Sequence, residues 1–308
     1  MSNFNKIGGR YGMHSGSAKF KNLQVDAGFS VQGNSFPTGP GSTFYVDSGV
    51  NANGNGSSWS LAFKTIQAAV DAASENGDTI YVAPGDYSIA VAIEIEKDNL
   101  RLIGPNKSCN DYAAMVYTSA ADNLVEIDAH NVSIVGLGFS AAGGAGHGIT
   151  FTGASYKCYI AQCRFDGWGN IGYGVKADDT SDSPDLVVED CLFRSWATGG
   201  IYANTTRGLF RRNMIFVDAA SIGINFAQTG GNRPDSMCYE NYIIGSNSTD
   251  TGIQIAATEP TDGTLLVANN VVTNCSTNIT QDKSDAGVVN NGTSGNGAAA
   301  IIVDAQAA

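Results

Sequence analysis

Seven carboxylates gather between residues 166 and 190, and they are the first side chains whose type and spacing can do chemistry. They are Asp166, Asp178, Asp179, Asp182, Asp185, Glu189 and Asp190. Two carboxylic groups about 5 to 9.5 Å apart cleave a glycosidic bond, one as the acid and the other as nucleophile or base. The sequence does not show which of these groups converge, and solvated loop charges are the alternative. The candidate catalytic residues are Asp166, Asp178, Asp179, Glu189 and Asp190.

The residues that a polysaccharide lyase or a metal site would require do not occur in a recognisable pattern. A lyase requires a base that abstracts a proton and usually a carboxylate-bound calcium. The possible bases are Arg194, Arg207, Arg211 and Arg212. Residues 47–56 offer oxygen ligands but lack the second carboxylate and the closing Glu of an EF-hand loop. The six cysteines form no CxxC pair, which disfavours zinc. We therefore predict neither a metal nor a cofactor.

Two tryptophans stand at matched positions. Trp168 and Trp196 each follow a phenylalanine by three residues, so in a repeating fold both indoles should lie on one ridge, with Tyr173 and Tyr202 nearby. A pair of exposed indoles can hold a sugar ring or fill a subunit interface. Packing of each indole on its own loop is the alternative. These four aromatics are the candidate glycan or interface contacts.

The charge of the chain is uneven. The 308 residues carry a formal net charge of −12, which disfavours general nucleic-acid binding because phosphates attract a surplus of Lys and Arg. In the first 40 residues the charged side chains are Lys6, Arg10, Lys19, Lys21 and Asp26. A basic N-terminal arm therefore precedes an acidic body. The chain contains no apolar run long enough to span a bilayer, so membrane insertion is not expected.

A repeat of 22 to 29 residues organises most of the chain. An apolar landmark recurs at Phe139, Phe165, Phe193, Ile215, Ile243 and Val272. A second landmark ends eight to ten residues after each of the first five, at Gly148-Ile149, Gly174-Val175, Gly200-Ile201, Gly223-Ile224 and Gly252-Ile253. Two landmarks in phase, separated by short alternating apolar runs and polar turns, indicate coils that stack on one another.

One site in this repeat predicts a ladder of stacked side chains. Two residues before each apolar landmark the chain has Leu137, Cys163, Cys191, Asn213, Asn241 and Asn270. With coils about 4.8 Å apart, each Asn amide can hydrogen-bond to the next, and Asn also tolerates the left-handed backbone of a tight bend. Cys163 and Cys191 would lie on adjacent coils, either as a disulfide or, as a reducing cytoplasm favours, as buried free thiols.

These patterns predict an all-β fold, a single-stranded right-handed parallel β-helix over residues 44–285. Gly supplies 38 residues and charged types only 15%, a composition rich in turns. Residues 1–43 are expected to form an extended N-terminal arm. Residues 286–308 change to an Ala-rich apolar tail, which is expected to form a closing or inter-subunit strand.

A capping helix at about residues 61–76 is expected to cover the exposed sheet edge at the start of the β-helix. Its apolar face would consist of Phe63, Ile66, Val70 and Ala73. Ser60 is a suitable N-cap for this helix, and Gly77 suits its end.

The residues around this helix resemble a known superfamily. The segments that carry the resemblance are Phe44-Tyr45-Val46-Asp47, Ala62-Phe63-Lys64-Thr65-Ile66-Gln67-Ala68-Ala69, Gly77-Asp78-Thr79-Ile80-Tyr81-Val82 and Leu100-Arg101-Leu102-Ile103-Gly104. They are similar to the start of pectate-lyase-like right-handed β-helix proteins, and the likeness spans about residues 44–285. The resemblance implies the fold. For function it leaves open lyases, hydrolases, epimerases and phage tailspike, fibre and head-decoration proteins, and no segment matches the superfamily's lyase motifs.

The N-terminal arm is unlike the start of a free secreted enzyme. Leu23, Val25, Ala27, Phe29 and Val31 alternate with polar residues, which predicts one strand with one apolar face. Such a strand requires a partner, which can be another copy, a larger assembly or the β-helix of the same chain. Virion-associated members of the superfamily are commonly trimers attached by short arms. The resemblance therefore implies that these apolar residues, with the four basic ones, mediate attachment or trimerisation.

The function expected from the sequence is that of a structural bacteriophage protein. It would be a homotrimeric head-decoration or head-fibre protein on the virion surface, folded in the host cytoplasm. Its arm would contact the major capsid protein or another virion protein, and its body would bind host-surface glycans. The alternative is a tailspike-like polysaccharide depolymerase, either a hydrolase or a lyase. A carboxylate pair at matched positions on neighbouring coils would favour the enzyme, and exposed tryptophans alone would favour glycan binding without turnover.

Overall fold

The computed structural model describes residues 29–31, 34–36, 41–75, 77–105, 114–118, 122–141, 144, 146–153, 155–170, 172–177, 184–218, 220–226, 235–246, 249–255, 265–281, 287–289 and 291–294. The chain divides into two compact units, Met1–Gly39 and Pro40–Ala308. In the described part of the first unit, strands Phe29–Val31 and Asn34–Phe36 pair antiparallel. The strand predicted here therefore has a partner within its own chain over residues 29–31. Leu23, Val25, Lys6, Arg10, Lys19 and Lys21 lie outside the described residues.

The second unit is a parallel β-helix with three sheets. The chain visits the three sheets in turn, and each strand pairs in parallel with its equivalent one coil later. Eight coils supply a strand to all three sheets. The repeat length found in the sequence is thus the length of one coil.

The strands of the three sheets follow in spatial order. The ten-stranded sheet contains Thr43–Val46, Thr79–Val82, Arg101–Ile103, Ser133–Val135, Tyr159–Ala161, Val187–Glu189, Leu209–Arg211, Ser236–Tyr239, Leu265–Ala268 and Gly287–Val289. The nine-stranded sheet contains Gly85–Ser88, Ala114–Thr118, Gly138–Ala141, Arg164–Asn170, Leu192–Trp196, Met214–Val217, Tyr242–Gly245, Val271–Thr273 and Gly292–Ser294. The eight-stranded sheet contains Ile93–Ile95, Val125–Ile127, Ile149–Phe151, Tyr173–Ala177, Gly199–Ala203, Ile222–Phe226, Thr251–Ile255 and Thr277–Gln281.

The N-terminal helix is shorter than the predicted one. A 3-10 helix, Trp59–Leu61, precedes an α-helix, Ile66–Ala72. The N-cap is Thr65 rather than Ser60, because the Thr65 hydroxyl accepts a hydrogen bond of 3.2 Å from the N–H of Ala68. Phe63 stays extended and pairs with the first strand of the ten-stranded sheet, which prevents the helix from starting earlier.

The apolar landmarks form the centre of the core. Phe139, Phe165 and Phe193 lie opposite one another, and their rings stack with centroids 5.1 and 4.7 Å apart. The stack continues in register through Ile215, Ile243 and Val272. Each of the six side chains is at most 1% exposed, and burial of each contributes about 1.5 to 3 kcal/mol.

The glycine of the second landmark makes room for this stack. A Cβ on Gly174 would lie 2.4 Å from Cδ1 of Phe193, and one on Gly252 would lie 2.2 Å from Cγ1 of Val272. A side chain at these positions would therefore clash with a landmark residue of the next coil. The glycines let the eight-stranded sheet approach the stacked core directly.

A buried ladder of asparagines connects four coils at the bend between the ten-stranded and nine-stranded sheets. The Asn241 Oδ1 accepts hydrogen bonds from both the backbone N–H and the side-chain amide of Asn213, at 3.0 Å each. Asn270 does the same for Asn241, at 3.0 and 2.9 Å. Asn291 extends the ladder by one coil. The ladder therefore satisfies polar groups that the bend would otherwise bury unpaired.

The left-handed residues of this bend are not the ladder asparagines. They are the residues just before the ladder site, Gln162, Asp190, Arg212, Glu240 and Asn269, with φ between 53° and 58°. The expectation that Asn adopts this conformation at the ladder site is therefore wrong. The chain turns one residue earlier, and the ladder residue directly precedes the next strand.

The ladder site is occupied by thiols on two earlier coils. Cys163 and Cys191 are buried thiols, and no disulfide joins them. Their sulfurs lie 3.6 and 3.9 Å from the carbonyl oxygens of Ile134 and Ile160. In the next coil the equivalent carbonyl is that of Val188, which accepts a hydrogen bond from the side-chain amide of Asn213. The thiols thus act as small, weakly donating substitutes for the asparagine amides.

We expect Asn241→Ala to lower the free energy of unfolding by about 2 to 4 kcal/mol, because it leaves the backbone N–H of Asn213 and one N–H of the Asn213 side-chain amide buried without an acceptor. Urea denaturation followed by circular dichroism measures this loss. Asn51→Ala, at an exposed loop position, is the control and should change the free energy of unfolding by less than about 0.5 kcal/mol. Equal stability of the two variants would contradict a structural role for the ladder.

Candidate functional site

Asp166 lies on the outer face of the nine-stranded sheet, between two arginines. The Nε of Arg164 lies 2.7 Å from its Oδ2, and the Nε of Arg194 lies 3.2 Å from its Oδ1. Asp166 is only 5% exposed. Asp166 pairs in register with Arg194 on the next coil. Both carboxylate oxygens therefore bind guanidinium groups, which keeps the buried charge compensated.

A bulge directly after Asp166 exposes Trp168. The register with the next strand shifts between Asp166 and Asn170, and Trp168 and Gly169 have left-handed backbones with φ of 47° and 80°. The indole is 71% exposed. Its Nε1 donates a 3.0 Å hydrogen bond to the Oγ of Ser140 on the preceding coil. The ring is thus held in place while it faces solvent.

Trp168 and Asp166 line a groove that crosses several coils. The groove has a volume of about 420 Å³. It is also lined by Asp86, Met115, Tyr117 and Ser140. We name it the tryptophan groove. It combines an exposed indole, a half-exposed phenol ring and an ion-paired carboxylate on the outer surface of one sheet.

Trp196 does not join Trp168. Trp196 is 2% exposed, and it pairs with Asn170 because the bulge has moved Trp168 out of register. A Cβ on Gly167 would lie 2.6 Å from Cδ2 of Trp196, so the indole packs against the bare backbone of the bulge. The Trp196 Nε1 has no hydrogen-bond partner in the part of the chain that is described. The predicted pair of exposed indoles is therefore wrong.

The two candidate tyrosines lie on the eight-stranded sheet. Tyr173 is buried, and its hydroxyl accepts a 3.2 Å hydrogen bond from the side-chain amide of Asn225. Tyr202 is partly buried, with its ring centroid 5.2 Å from that of Tyr173. They contact each other rather than the indole of Trp168, which belongs to another sheet.

Glu189 occupies the outer face of the ten-stranded sheet. The hydroxyl of Tyr159 donates a 2.6 Å hydrogen bond to its Oε1, while Arg211 and Arg212 pair with its Oε2. Burial by itself would raise the pKa of Glu189, but these hydrogen bonds and positive charges outweigh it, and the pKa lies below its ordinary value. Burial and the bond to Glu189 raise the pKa of Tyr159 to about 12. Glu189 is therefore a structural anion, unsuited to act as a general acid.

Among the candidate carboxylates that the structure describes, none completes a catalytic pair with Asp166. Asp190 pairs with Arg212 at 2.8 Å, chiefly through a hydrogen bond that lowers the pKa of Asp190. Asp178 and Asp179 lie outside the described residues. Asp86 lines the same groove, but three coils and a two-residue offset place its Cα about 16 Å from that of Asp166. Even with the side chains leaning together, the carboxyl groups stay further apart than the roughly 9.5 Å limit of glycosidases.

The described part of the chain contains no cluster of three or more His, Cys, Asp or Glu side chains that could bind a metal ion. The described cysteines are buried free thiols, and burial raises the pKa of Cys158 to about 11 and that of Cys275 to about 12. No helix among the described residues is long and apolar enough to cross a membrane.

The outward neighbours of the core landmarks are the groove residues that the sequence pattern did not reveal. Tyr117 and Ser140 each follow a residue of the central stack, Val116 or Phe139, by one position. Asp166 continues the same line one coil later. The residue that directly follows each landmark therefore faces the surface rather than the core. The sequence contains this signal, but it can be used only when the register between coils is known.

No protein-family model and no curated protein matches the sequence. A pectin methylesterase from Aspergillus niger is similar in structure, with 15% identity over 86% of this chain and 88% of that chain and a TM-score of 0.52. A PL6-family alginate lyase is similar with 14% identity over 83% of this chain and 40% of that chain, at a TM-score of 0.51. The enzymatically active domain of tailspike protein 2 of bacteriophage CBA120 reaches a TM-score of 0.43, with 14% identity over 79% of this chain and 43% of that chain.

The similarity to the first two structures shows the fold. The chain has the right-handed parallel β-helix fold of the pectate-lyase-like proteins. At 14 to 15% identity the likeness extends to the fold alone.

We expect Glu189→Gln to reduce the acid sensitivity of folding. Because the folded-state pKa of Glu189 lies below its ordinary value of 4.5, ionised Glu189 contributes stability above that pH, and this contribution is lost as the pH falls through the folded pKa. Free energies of unfolding measured in urea between pH 7 and 2.5 should fall less steeply below pH 4.5 in the variant. Asp218→Asn, at an exposed position, is the control. Parallel curves for the wild type and Glu189→Gln would contradict the assignment.

Proposed function

We propose that this protein binds polysaccharide in the tryptophan groove. The observation that carries the proposal is the state of Trp168, whose indole is 71% exposed yet fixed by a hydrogen bond and a left-handed backbone. Such an indole leaves a large apolar area in contact with water. A residue with a strained backbone persists only where the surrounding structure holds it in place. A flat indole face is well suited to pack against the apolar face of a sugar ring.

The rest of the groove supports the same ligand class. Tyr117 adds a second accessible ring, and the hydroxyl of Ser140 lies beside the indole. The ion-paired Asp166 at the groove wall adds fixed charge to a surface that a polyhydroxylated chain can hydrogen-bond. Two structures with the same fold are an esterase of pectin and a lyase of alginate by name, which supports a polysaccharide as the ligand of this fold.

Cleavage of the bound chain is the second candidate, which would make the protein a tailspike-like depolymerase. Asp166 favours it, because a buried carboxylate lies in the groove itself. Against it stand the two arginines that occupy both oxygens of Asp166 and the wide spacing between Asp166 and Asp86. Binding without turnover therefore agrees better with the described residues. Incubation with host capsular polysaccharide or lipopolysaccharide, followed by assay for new reducing or unsaturated ends, separates the two.

We also propose that the protein is a trimeric component of a bacteriophage particle, attached through residues 1–43. The basic charge of this arm supports attachment to a larger acidic partner, and its alternating apolar residues support a strand that pairs beyond one copy. The division of the chain into compact units after Gly39 supports a role for residues 1–39 that is independent of the groove. In this arrangement the groove faces outward to host-surface glycans.

We expect Trp168→Ala to weaken binding to host capsular polysaccharide or lipopolysaccharide at least about tenfold, the effect of losing one dominant aromatic contact. Binding is measured by surface plasmon resonance with the glycan immobilised. Trp59→Ala removes an indole that is 48% exposed on the 3-10 helix and is the matched control, with unchanged affinity expected. An equal loss in both variants, or none in either, would exclude the groove as the binding site.

We expect deletion of residues 1–40 to leave a folded β-helix that no longer associates with phage particles. Circular dichroism tests the fold, and co-sedimentation with particles that lack the protein tests attachment. Analytical ultracentrifugation of both forms shows whether the arm is needed for a trimer. Full occupancy of particles by the truncated form would refute attachment through the arm.

A further inference from the structure

A second cleft opens beside the tryptophan groove. It has a volume of about 410 Å³ and lies next to the α-helix Ile66–Ala72, at the connection between strands Gly85–Ser88 and Ile93–Ile95. Asp86 lines both spaces. Ser88 lines the second cleft and pairs with Tyr117 of the groove. The two spaces therefore adjoin each other, and their lining includes residues of the first four strands of the nine-stranded sheet.

One wall of the second cleft is the connection at residues 89–92, whose sequence is Ile-Ala-Val-Ala, whereas other connections in this chain are rich in Gly, Asn, Asp and Ser. Polar side chains, among them Lys64 and Gln67, also line the cleft. Val91 is 70% exposed. Val91 and Trp168 are the two most exposed large apolar side chains among the described residues. Val91 lines the second cleft, and Trp168 lines the groove. We name the second cleft the apolar cleft.

A bare sugar chain does not fit such a wall well, because its hydroxyl groups would lose water without gaining hydrogen-bond partners. A sugar that carries an acyl ester presents a methyl group to Val91 and Ile89 instead. Ser88 and Lys64 line the same cleft and are donors for the ester carbonyl oxygen. The volume is sufficient for a substituted sugar residue.

We propose that the apolar cleft binds an O-acetyl substituent of the polysaccharide held by Trp168, so that the ligand is an O-acetylated glycan; this inference rests on the proposed function. The tryptophan groove and the apolar cleft then have separate roles. The tryptophan groove binds the sugar backbone in either form, and the apolar cleft discriminates between the acetylated and the bare chain. Each buried methyl group contributes a preference of roughly fourfold.

The test uses the full-length protein and three O-acetylated bacterial polymers, alginate, xanthan and gellan, each beside the same sample deacetylated with mild alkali. Binding of each form is measured by surface plasmon resonance. For a polymer that binds, the wild type is expected to prefer the acetylated form at least about fourfold. Val91→Asn removes the apolar contact without adding charge, and it should abolish that preference while the affinity for the deacetylated form stays within about twofold of the wild type. Trp168→Ala should weaken both forms alike.

Val271→Asn, at an exposed valine of the nine-stranded sheet outside the cleft, is the control and should keep the preference. Because Val91 and Val271 are both exposed, both variants are expected to fold, and circular dichroism checks this. Equal binding of both forms by the wild type, or an equal loss of both forms in Val91→Asn, overturns the acetyl cleft and leaves the proposed function intact. If no polymer binds in either form, the proposed function and this inference both fail.

Discussion

The structure depends on stacking in register. Each residue of a coil lies one strand spacing, about 4.8 Å, from its equivalents in the coils before and after, so an interior side chain must pack well beside its equivalents. Phenylalanine rings do so by stacking, and asparagine amides do so because an amide both donates and accepts hydrogen bonds. Glycine occupies positions where a ring of the next coil fills the space of a side chain.

The same rule explains the charges at the turns. A left-handed backbone costs a non-glycine residue about 1 to 2 kcal/mol, yet such residues recur at the bend before the ten-stranded sheet, where Lys157, Asp185 and Arg207 follow one another with φ between 55° and 61°. Their charges alternate, and Asp185 binds Arg207 through two hydrogen bonds of 2.7 and 3.1 Å. Like charges stacked at this spacing would repel. Alternation turns the stack into a series of ion pairs.

The sequence predicts the interior far better than the surface, for a physical reason. Landmarks such as Phe165 and Asn241 repeat because each needs a like neighbour, and repetition is visible without coordinates. The bulge between Asp166 and Asn170 breaks the repeat in one strand only, so equal spacing from a landmark placed Trp196 on the surface when it is buried. The N-cap at Thr65 and the groove contacts of Asp86 and Ser140 depend on register and on neighbours distant in sequence. Periodicity does not encode them.

The bulge at Gly167-Trp168-Gly169 also has a consequence for how the outer surface of such a fold can vary. The extra residues lengthen one strand on its outer side, while Phe165 below it still meets Phe193 and the next coil resumes its spacing. The proposed ligand site thus depends on a change confined to one coil, and the stacked landmarks on either side keep their register. In a fold of this kind, an irregularity in a single coil can reshape the outer surface at that coil while the remaining coils keep their pairing.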